Sequence, residues 1–484
     1  MVERSPGTLV EGTIPESSFG GPEFRATLRL LMLPALLAAM VVLGVPLSGG
    51  ALYAFALIAC VPVLLALPRN PEPLLALFVL YLPLCKSYAI PIAPGINGTN
   101  MFEAGLLLAL MFSRSRGREA PIVDKPLQWP VALWAFLSLL SFVTTMERVG
   151  VGEVVIGYAY LLKAWLDQFI VFFVVGALIS DRSMARRVII YLMIGTILVM
   201  FIGFQEWLDS RFLDSIEKSR LLGPQLQPND FGAYLTYSAG PFIGLFLVNW
   251  TRWRSWFLLA YFIVLARLTL ATFSRGAYIG LGAALLAATY VRSKLLLIFA
   301  IGLVFGLINF EPALMPESMK ARVGQTTGEA ESAEELDKSS GTRIVLWDAA
   351  IAMTLERPIL GHGFASFPMM KGKYTEIPVE ESDNHNMFLY ICSQMGIPAL
   401  AVFLFLIWRT YVCGARLFRS SANTFDKSIG LGAVAIAGGI IGVNMFGSRM
   451  VDIAVSGYYW VYLAALAALL GKNNASSHTP GRPS

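Results

Sequence analysis

A short polar segment at residues 382–386, with the sequence SDNHN, stands out in a chain that is otherwise very hydrophobic. It contains His385, one of only three histidines in 484 residues. Histidine is the side chain best suited to take up or release a proton near neutral pH. Asp383 and Glu381 are near enough in sequence to orient its ring. The segment therefore predicts a proton-transfer group at His385, against the simpler alternative of a capping or interfacial histidine.

Three arginines stand in separate polar segments before this histidine. Arg220 opens a stretch rich in glycine, proline and glutamine, Arg275 lies in the short sequence FSRG, and Arg343 precedes a helical pattern. Arginine suits phosphate because its charge is permanent and its contacts are bidentate. Together with His385, these residues predict a site for an anionic substrate with a transferable group. Alone, each arginine could equally be a solvated loop charge or an interfacial side chain.

The composition indicates what kind of protein must position these residues. Of the chain, 56% is hydrophobic and 14% charged, whereas soluble domains carry about 25% charged residues. Apolar runs approaching the roughly 20 residues that span a bilayer recur throughout. Only helices and closed barrels satisfy their backbone in lipid, and barrel strands do not give continuous apolar runs. We therefore predict an all-α polytopic membrane protein with about 12–14 transmembrane helices. The candidate segments are 28–47, 50–67, 72–85, 101–113, 127–145, 156–179, 188–208, 231–250, 256–272, 277–291, 295–310, 386–408, 428–446 and 456–471.

The distribution of positive charge predicts which helix ends face the cytoplasm. With a cytoplasmic N-terminus, the connecting segments predicted to lie inside are the basic ones, as the positive-inside rule requires. The three arginines and His385 then all lie on the outer side. The net charge of +5 reflects this orientation, and we predict no nucleic-acid partner.

These assignments divide the chain into five parts. They are a disordered cytoplasmic tail at 1–27, a transmembrane helical bundle at 28–310, an extracytoplasmic loop at 311–385, C-terminal transmembrane helices at 386–471 and a cytoplasmic tail at 472–484. Within the loop, apolar residues between Ile344 and Leu355 keep helical spacing, which predicts an amphipathic helix capped by Thr342 and ended by Pro358. We expect this helix to lie along the membrane surface as a cap over the bundle.

Other charged or reactive residues carry weaker predictions. Lys163 and Asp167 are four residues apart in one span, which favours a structural ion pair over a functional one. Arg267 could reach an anionic substrate or pair with Asp167. The four cysteines show no CxxC or metal-ligand spacing, so we predict neither a disulfide framework nor a metal site. His362 is expected to be structural or solvent-facing.

An ordered series of short motifs resembles the bacterial O-antigen ligase and O-antigen polymerase family over roughly residues 188–446. Each motif is weak alone, and the specificity comes from their order and from the long loop in the matching place. The motifs are Arg220-x-x-Gly223, Pro228-Asn229-x-x-Gly232, Ser274-Arg275-Gly276, Arg343-x-x-x-Trp347, Pro358-x-x-Gly361-x-Gly363-x-x-x-Phe367 and His385-Asn386.

The resemblance implies a GT-C-like fold and a metal-independent, inverting glycosyltransferase without a cofactor, active in cell-surface polysaccharide synthesis. Its donor would be a glycan on undecaprenyl pyrophosphate, and its acceptor a second glycan or a lipid A core. It would be a multi-pass protein of the bacterial inner membrane, among membrane lipids, with its active site facing the periplasm. Sugar identity, chain length, oligomeric state and the choice between ligase and polymerase stay open.

The resemblance also implies roles for individual residues. His385 and Arg275 are expected to be catalytic. Arg220, Arg343, Asn229 and Asn386 are expected to bind substrate, with Arg275 and Arg343 on the pyrophosphate.

The main alternative is a lipid-linked glycan flippase or an anion transporter. A transporter concentrates its polar residues near the membrane midplane, between interrupted helices. Here the polar residues cluster at the predicted outer face beneath a long loop, which favours an enzyme.

Overall fold

The fold is helical throughout, apart from one short hairpin, in the residues that the computed structural model describes: 25–32, 61–89, 91–93, 96–115, 125–152, 157–210, 220–299, 301–302, 338–375 and 379–471. The hairpin pairs Pro91–Ala93 with Ile96–Asn97 in antiparallel fashion. We label the helices α1 (Glu72–Tyr81), α2 (Gly98–Ser115), α3 (Lys125–Val149), α4 (Ala159–Leu178), α5 (Arg182–Ser210), α6 (Pro228–Ser238), α7 (Gly240–Asn249), α8 (Leu258–Ala271), α9 (Arg275–Arg292), α10 (Lys338–Glu356), α11 (Phe367–Met370), α12 (Met387–Met395), α13 (Ile397–Ser420), α14 (Thr424–Asn444) and α15 (Ile453–Gly471).

Eight helices within the described residues are long and apolar enough to cross a membrane, which confirms the all-α polytopic class. These are Leu127–Val149, Ala159–Leu178, Arg182–Ser210, Pro228–Asn249, Trp253–Ala271, Ile397–Ser420, Thr424–Asn444 and Ile453–Gly471. The predicted spans at 28–47 and 50–67 lie mostly outside the described residues, as do both predicted tails. The count of 12–14 therefore stays a prediction.

The predicted span at 386–408 is wrong in one respect, because it is two helices. α12 ends at Met395, because the next residue, Gly396, has a φ of +88° that a helix cannot continue. A Cβ at Gly396 would overlap the carbonyl oxygen of Ile359, and Ile397 N donates to Pro358 O at 2.8 Å. The loop after α10 thus packs into the break, so the span itself begins only at Ile397.

The loop helix α10 confirms that this segment is an amphipathic helix, but the predicted apolar face is wrong, because Ile344 and Leu355 at the two ends of the pattern are exposed. Its buried face carries Leu346, Ala350 and Met353, which pack against Phe367. The predicted N-cap at Thr342 is wrong, because the helix begins four residues earlier at Lys338. Arg343 therefore lies in the second turn rather than the first. The helix ends at Glu356, before Pro358, as expected.

Glycines let α14 approach its neighbours closely. A Cβ at Gly244 of α7 would overlap the backbone oxygen of Ser428, and one at Gly280 of α9 would overlap the Val443 side chain. Small residues at such crossings allow helix backbones to meet in a membrane. The turn that follows α14 is thereby fixed beside Arg275, the first residue of α9.

Candidate functional site

A cavity of about 80 Å³ lies where the turns at one end of the bundle meet α10. Its wall is largely polar and carries three arginine side chains from three separate segments. The lining residues are Arg220, Asn229, Phe273, Arg275, Gly276, Arg343 and Phe446. Four of the six residues expected to be functional therefore line one cavity.

Arg220 and Asn229 are held by the turn that leads into α6. Leu226 adopts a φ of +56°, which tightens this turn. Arg220 Nε donates to Thr272 O at 3.1 Å, and its Nη2 donates to Asn229 Oδ1 at 3.4 Å. One arginine thus joins the start of α6 to the end of α8.

Arg275 and Gly276 begin α9, and both face the cavity. The preceding Phe273 has a φ of +51°, so the chain turns sharply before the helix starts. The first N–H groups of a helix have no intrahelical acceptor, and the helix dipole adds positive charge there. The α9 terminus and the arginines therefore favour an anion in the cavity.

His385 does not line the cavity, but its segment contacts α10 one turn after Arg343. Its backbone is left-handed, with a φ of +54°, which is strained for a residue other than glycine. Trp347 Nε1 of α10 donates to Asn384 O at 2.8 Å and fixes the segment. The His385 Nδ1 atom faces Asp383 Oδ2 at 3.5 Å without a hydrogen bond.

The surroundings of His385 lower its pKa below the ordinary histidine value. Burial of the ring is the largest cause, and the positive charges of Arg343 and Arg449 act in the same direction. Asp383 and Glu381 oppose them. The neutral imidazole, which can accept a proton, is therefore the form favoured near neutral pH.

Asn386 has a structural contact that sequence reasoning did not anticipate. Its Oδ1 accepts from the backbone N–H groups of Phe388 and Leu389 at 3.0 and 3.2 Å, so it caps α12. It is absent from the cavity lining.

Sequence reasoning missed an ion cluster formed by Lys86, Asp230, Arg449 and Asp452. Arg449 Nη1 donates to Asp230 Oδ1 at 2.6 Å, and Lys86 pairs with both Asp230 and Asp452. The available signal was the polar sequence from Ser448 to Asp452 between two apolar helices.

His362 is structural, as expected, and it is fully buried. Arg148 Nη1 lies 2.9 Å from its Nδ1, and its Nε2 lies 3.0 Å from Met353 O. Arginine can only donate, so Nδ1 accepts and Nε2 carries the proton. Burial and the Arg148 charge lower the His362 pKa.

Lys163, Asp167 and Arg267, the other charged residues of the predicted spans, are not among the residues that line the cavity. Lys163 Nζ contacts Asp167 Oδ2 at 2.5 Å, so these residues form the expected ion pair. The Arg267 guanidinium lies 4.7 Å from the centre of the Trp207 ring.

Comparison with known families confirms the resemblance found in the sequence. Residues 259–404 match the family model described as O-antigen ligase. The matched segment contains Arg275, Arg343 and His385, and it ends before the Arg449 turn. No curated protein matches the chain. The family match supports a glycan-transferring enzyme, and the apolar helices make it an integral membrane protein.

Proposed function

We propose that this chain transfers a glycan from an undecaprenyl-pyrophosphate donor to a glycan or lipid A-core acceptor at the periplasmic face of the bacterial inner membrane. The observation that carries the proposal is the cavity that Arg220, Arg275 and Arg343 line together. His385 stands next to it, within the charge field of Arg343.

The arginines suit the leaving group of such a reaction. When the bond between the sugar and the pyrophosphate breaks, negative charge builds on the phosphate oxygens. Cations fixed in advance stabilise this charge, and removal of one such donor in other enzymes lowers the rate by about 10²–10³. Arg275 and Arg343 supply this charge in the proposal, and no metal ion is required for it.

His385 acts as the base in the proposal. The acceptor hydroxyl attacks the anomeric carbon while its proton moves to the unprotonated ring nitrogen of His385. The bond from that carbon to the pyrophosphate oxygen breaks at the same time, so one displacement inverts the anomeric centre. General-base catalysis of this kind contributes about 10²–10⁴ in rate.

The distribution of glycan lengths in a strain that lacks the gene tests this function. Single repeat units left on undecaprenyl pyrophosphate identify a polymerase, and full-length chains stranded on the carrier identify a ligase. Lipid-linked units that build up on the cytoplasmic face would contradict the proposal and identify a transporter.

Two arginine variants, each expressed in the strain that lacks the gene, provide a matched comparison. Arg275→Ala should fail to restore surface polysaccharide, because the cavity loses one of its cations. Arg267→Ala should restore it, because that guanidinium stacks on Trp207 and does not line the cavity.

A further inference from the structure

Arg449 has an environment that the substrate cavity does not explain. Its residue surface is only 8% exposed, and Nη1 forms an ion pair with Asp230. Within the part of the chain that the structure describes, its buried Nη2 atom has no hydrogen-bond partner. A buried donor without a partner lowers the stability of the fold, because it has lost its hydrogen bonds to water. The protein therefore keeps this charge buried at a cost, which calls for a function.

The turn that carries Arg449 is rigidly held. Arg449 N donates to Asn444 Oδ1 at 3.0 Å, and the Asn444 amide donates to Tyr237 OH at 2.8 Å. Asn444 is completely buried at the end of α14. The position of the guanidinium is thus set by the helix core.

Gly447 makes room for the Arg449 side chain. The side chain folds back over the Gly447 backbone, so a Cβ at position 447 would lie 2.8 Å from Cζ and from Nη2. Gly447 does not have a positive φ, so alanine fits its backbone. Gly447→Ala would therefore displace the guanidinium while leaving its charge on the chain.

The same turn also contacts the His385 segment. Ser448 Oγ donates to Asp383 Oδ1 at 2.7 Å, and the other oxygen of Asp383 faces His385 Nδ1 at 3.5 Å. The charged groups that act on His385 are Asp383 and Glu381 of its own segment, Arg343 of α10 and Arg449 of the turn. Arg449 directly follows Ser448, so it is the member of the ion cluster that lies in the turn contacting the His385 segment.

We propose that Arg449 is a positioning residue whose fixed positive charge, held by Asp230, keeps His385 in the neutral form that accepts the acceptor proton. The inference rests on the proposed role of His385 as the base. Asp383 alone would favour the imidazolium, because an opposite charge stabilises the charged form. The positive charges of Arg449 and Arg343 offset this effect, because they disfavour the imidazolium.

Titration of His385 tests the inference without any substrate. The chain has only three histidines, so ring signals of isotopically labelled protein in lipid nanodiscs can be assigned with His385→Gln and His362→Gln. Arg449→Gln should raise the pH midpoint of His385 titration, because a like charge is removed. Gly447→Ala should raise it in the same direction, and Arg449→Lys should leave it near the wild-type value.

Arg148→Gln is the matched control, because Arg148 contacts His362 and not His385. It should move the His362 midpoint upward and leave that of His385 in place. If the titration midpoint of His362 is unchanged in the Arg449 and Gly447 variants, the segment around His362 has kept its fold. An unmoved His385 midpoint in folded Gly447→Ala and Arg449→Gln protein would overturn the inference. If Arg449→Gln does not fold, Gly447→Ala alone decides.

The pH profile of glycan transfer supplies the second readout. Transfer requires neutral His385, so the acid limb of the rate should move to higher pH in Arg449→Gln and Gly447→Ala. If His385→Ala transfers glycan at the full rate, the proposed base is wrong. If transfer requires His385 but the titration midpoint of His385 is unchanged in Arg449→Gln, the proposed function stands and only the Arg449 inference fails.

Discussion

At the scale of single residues, the proposed site combines fixed positive charge with one histidine that we assign as the base. Arg220, Arg275 and Arg343 line the cavity, and their guanidinium groups stay charged at any physiological pH. His385 is half-buried, and this burial together with the positive charges of Arg343 and Arg449 lowers its pKa. In the proposed function, the arginines bind the negative charge of the leaving group and His385 takes up the proton.

Arg343→Lys should separate the effect of the positive charge at this position from the effect of the planar shape of the guanidinium group. Lysine keeps the positive charge but loses the planar fork that binds two phosphate oxygens at once. We expect Arg343→Ala to lower the transfer rate by about 10²–10³ and Arg343→Lys to fall between this variant and the wild type. Initial rates with a labelled lipid-linked donor measure the difference. Equal rates in all three proteins would exclude a role for Arg343 in binding the leaving group.

The lowered pKa of His385 sets the direction of the pH dependence. Since the folded protein favours the neutral ring, the transfer rate should hold through neutral pH and fall only in acid. The midpoint of that fall should lie below the ordinary histidine value of about 6.5. Rates measured across the acid range provide the check, and a midpoint above the ordinary value would contradict the assignment of His385 as the base.

At the scale of elements, helix ends position the site. Arg275 begins α9, Asn229 lies at the start of α6, and the turn after α14 supplies Phe446. The close approach of α9 to α14 at Gly280 holds the start of α9 and the end of α14 next to each other. The geometry of the cavity therefore depends on packing within the bundle.

Gly280→Leu tests this dependence, with Gly282→Leu as the matched control on the same helix. A side chain at Gly280 would overlap Val443, whereas nothing lies within 4 Å of a Cβ at Gly282. Overpacking costs about 1–3 kcal/mol, so Gly280→Leu should lower both the thermal midpoint and the transfer rate. Gly282→Leu should leave both near the wild type. Similar losses in the two variants would show that the α9–α14 contact does not hold the site.

Sequence patterns predicted elements better than their ends. The apolar periodicity located the helix α10 but not its buried face, since Leu346 and Met353 pack with Phe367 while Ile344 and Leu355 are exposed. It missed the break at Gly396, because an apolar run does not reveal that the loop after α10 fills the gap. Arg220, Asn229, Arg275 and Arg343 were recognised from local motifs. Arg449 was missed, since its role depends on contacts with Asp230 and the His385 segment that only folding creates.

At the scale of the whole molecule, polar groups concentrate at the two ends of the bundle. The cavity and the ion cluster lie at one end of α14. At its other end, Asp426 pairs with Arg186, and nearby Arg187 of α5 pairs with the buried Glu72. Breaking a buried pair costs about 3–5 kcal/mol, so these bridges fix the helices at the end opposite the cavity.

The proposed orientation predicts which segments of the chain are accessible from outside the cell. A cysteine introduced at Ala333 in the predicted outer loop should react with an impermeant maleimide in intact spheroplasts. A cysteine at Ser476 in the predicted cytoplasmic tail should react only after permeabilisation. Both are placed in a background whose four native cysteines are replaced by serine or alanine. The reverse labelling pattern would invert the orientation.

The most direct test of the account is glycan transfer by the purified protein from a labelled undecaprenyl-pyrophosphate donor. We expect Arg275→Ala to lower the single-turnover rate by about 10²–10³ and His385→Ala to lower it by about 10²–10⁴. Arg267→Ala should turn over at the wild-type rate. Full turnover in both Arg275→Ala and His385→Ala would contradict the assignment of the cavity and its histidine as the site of transfer.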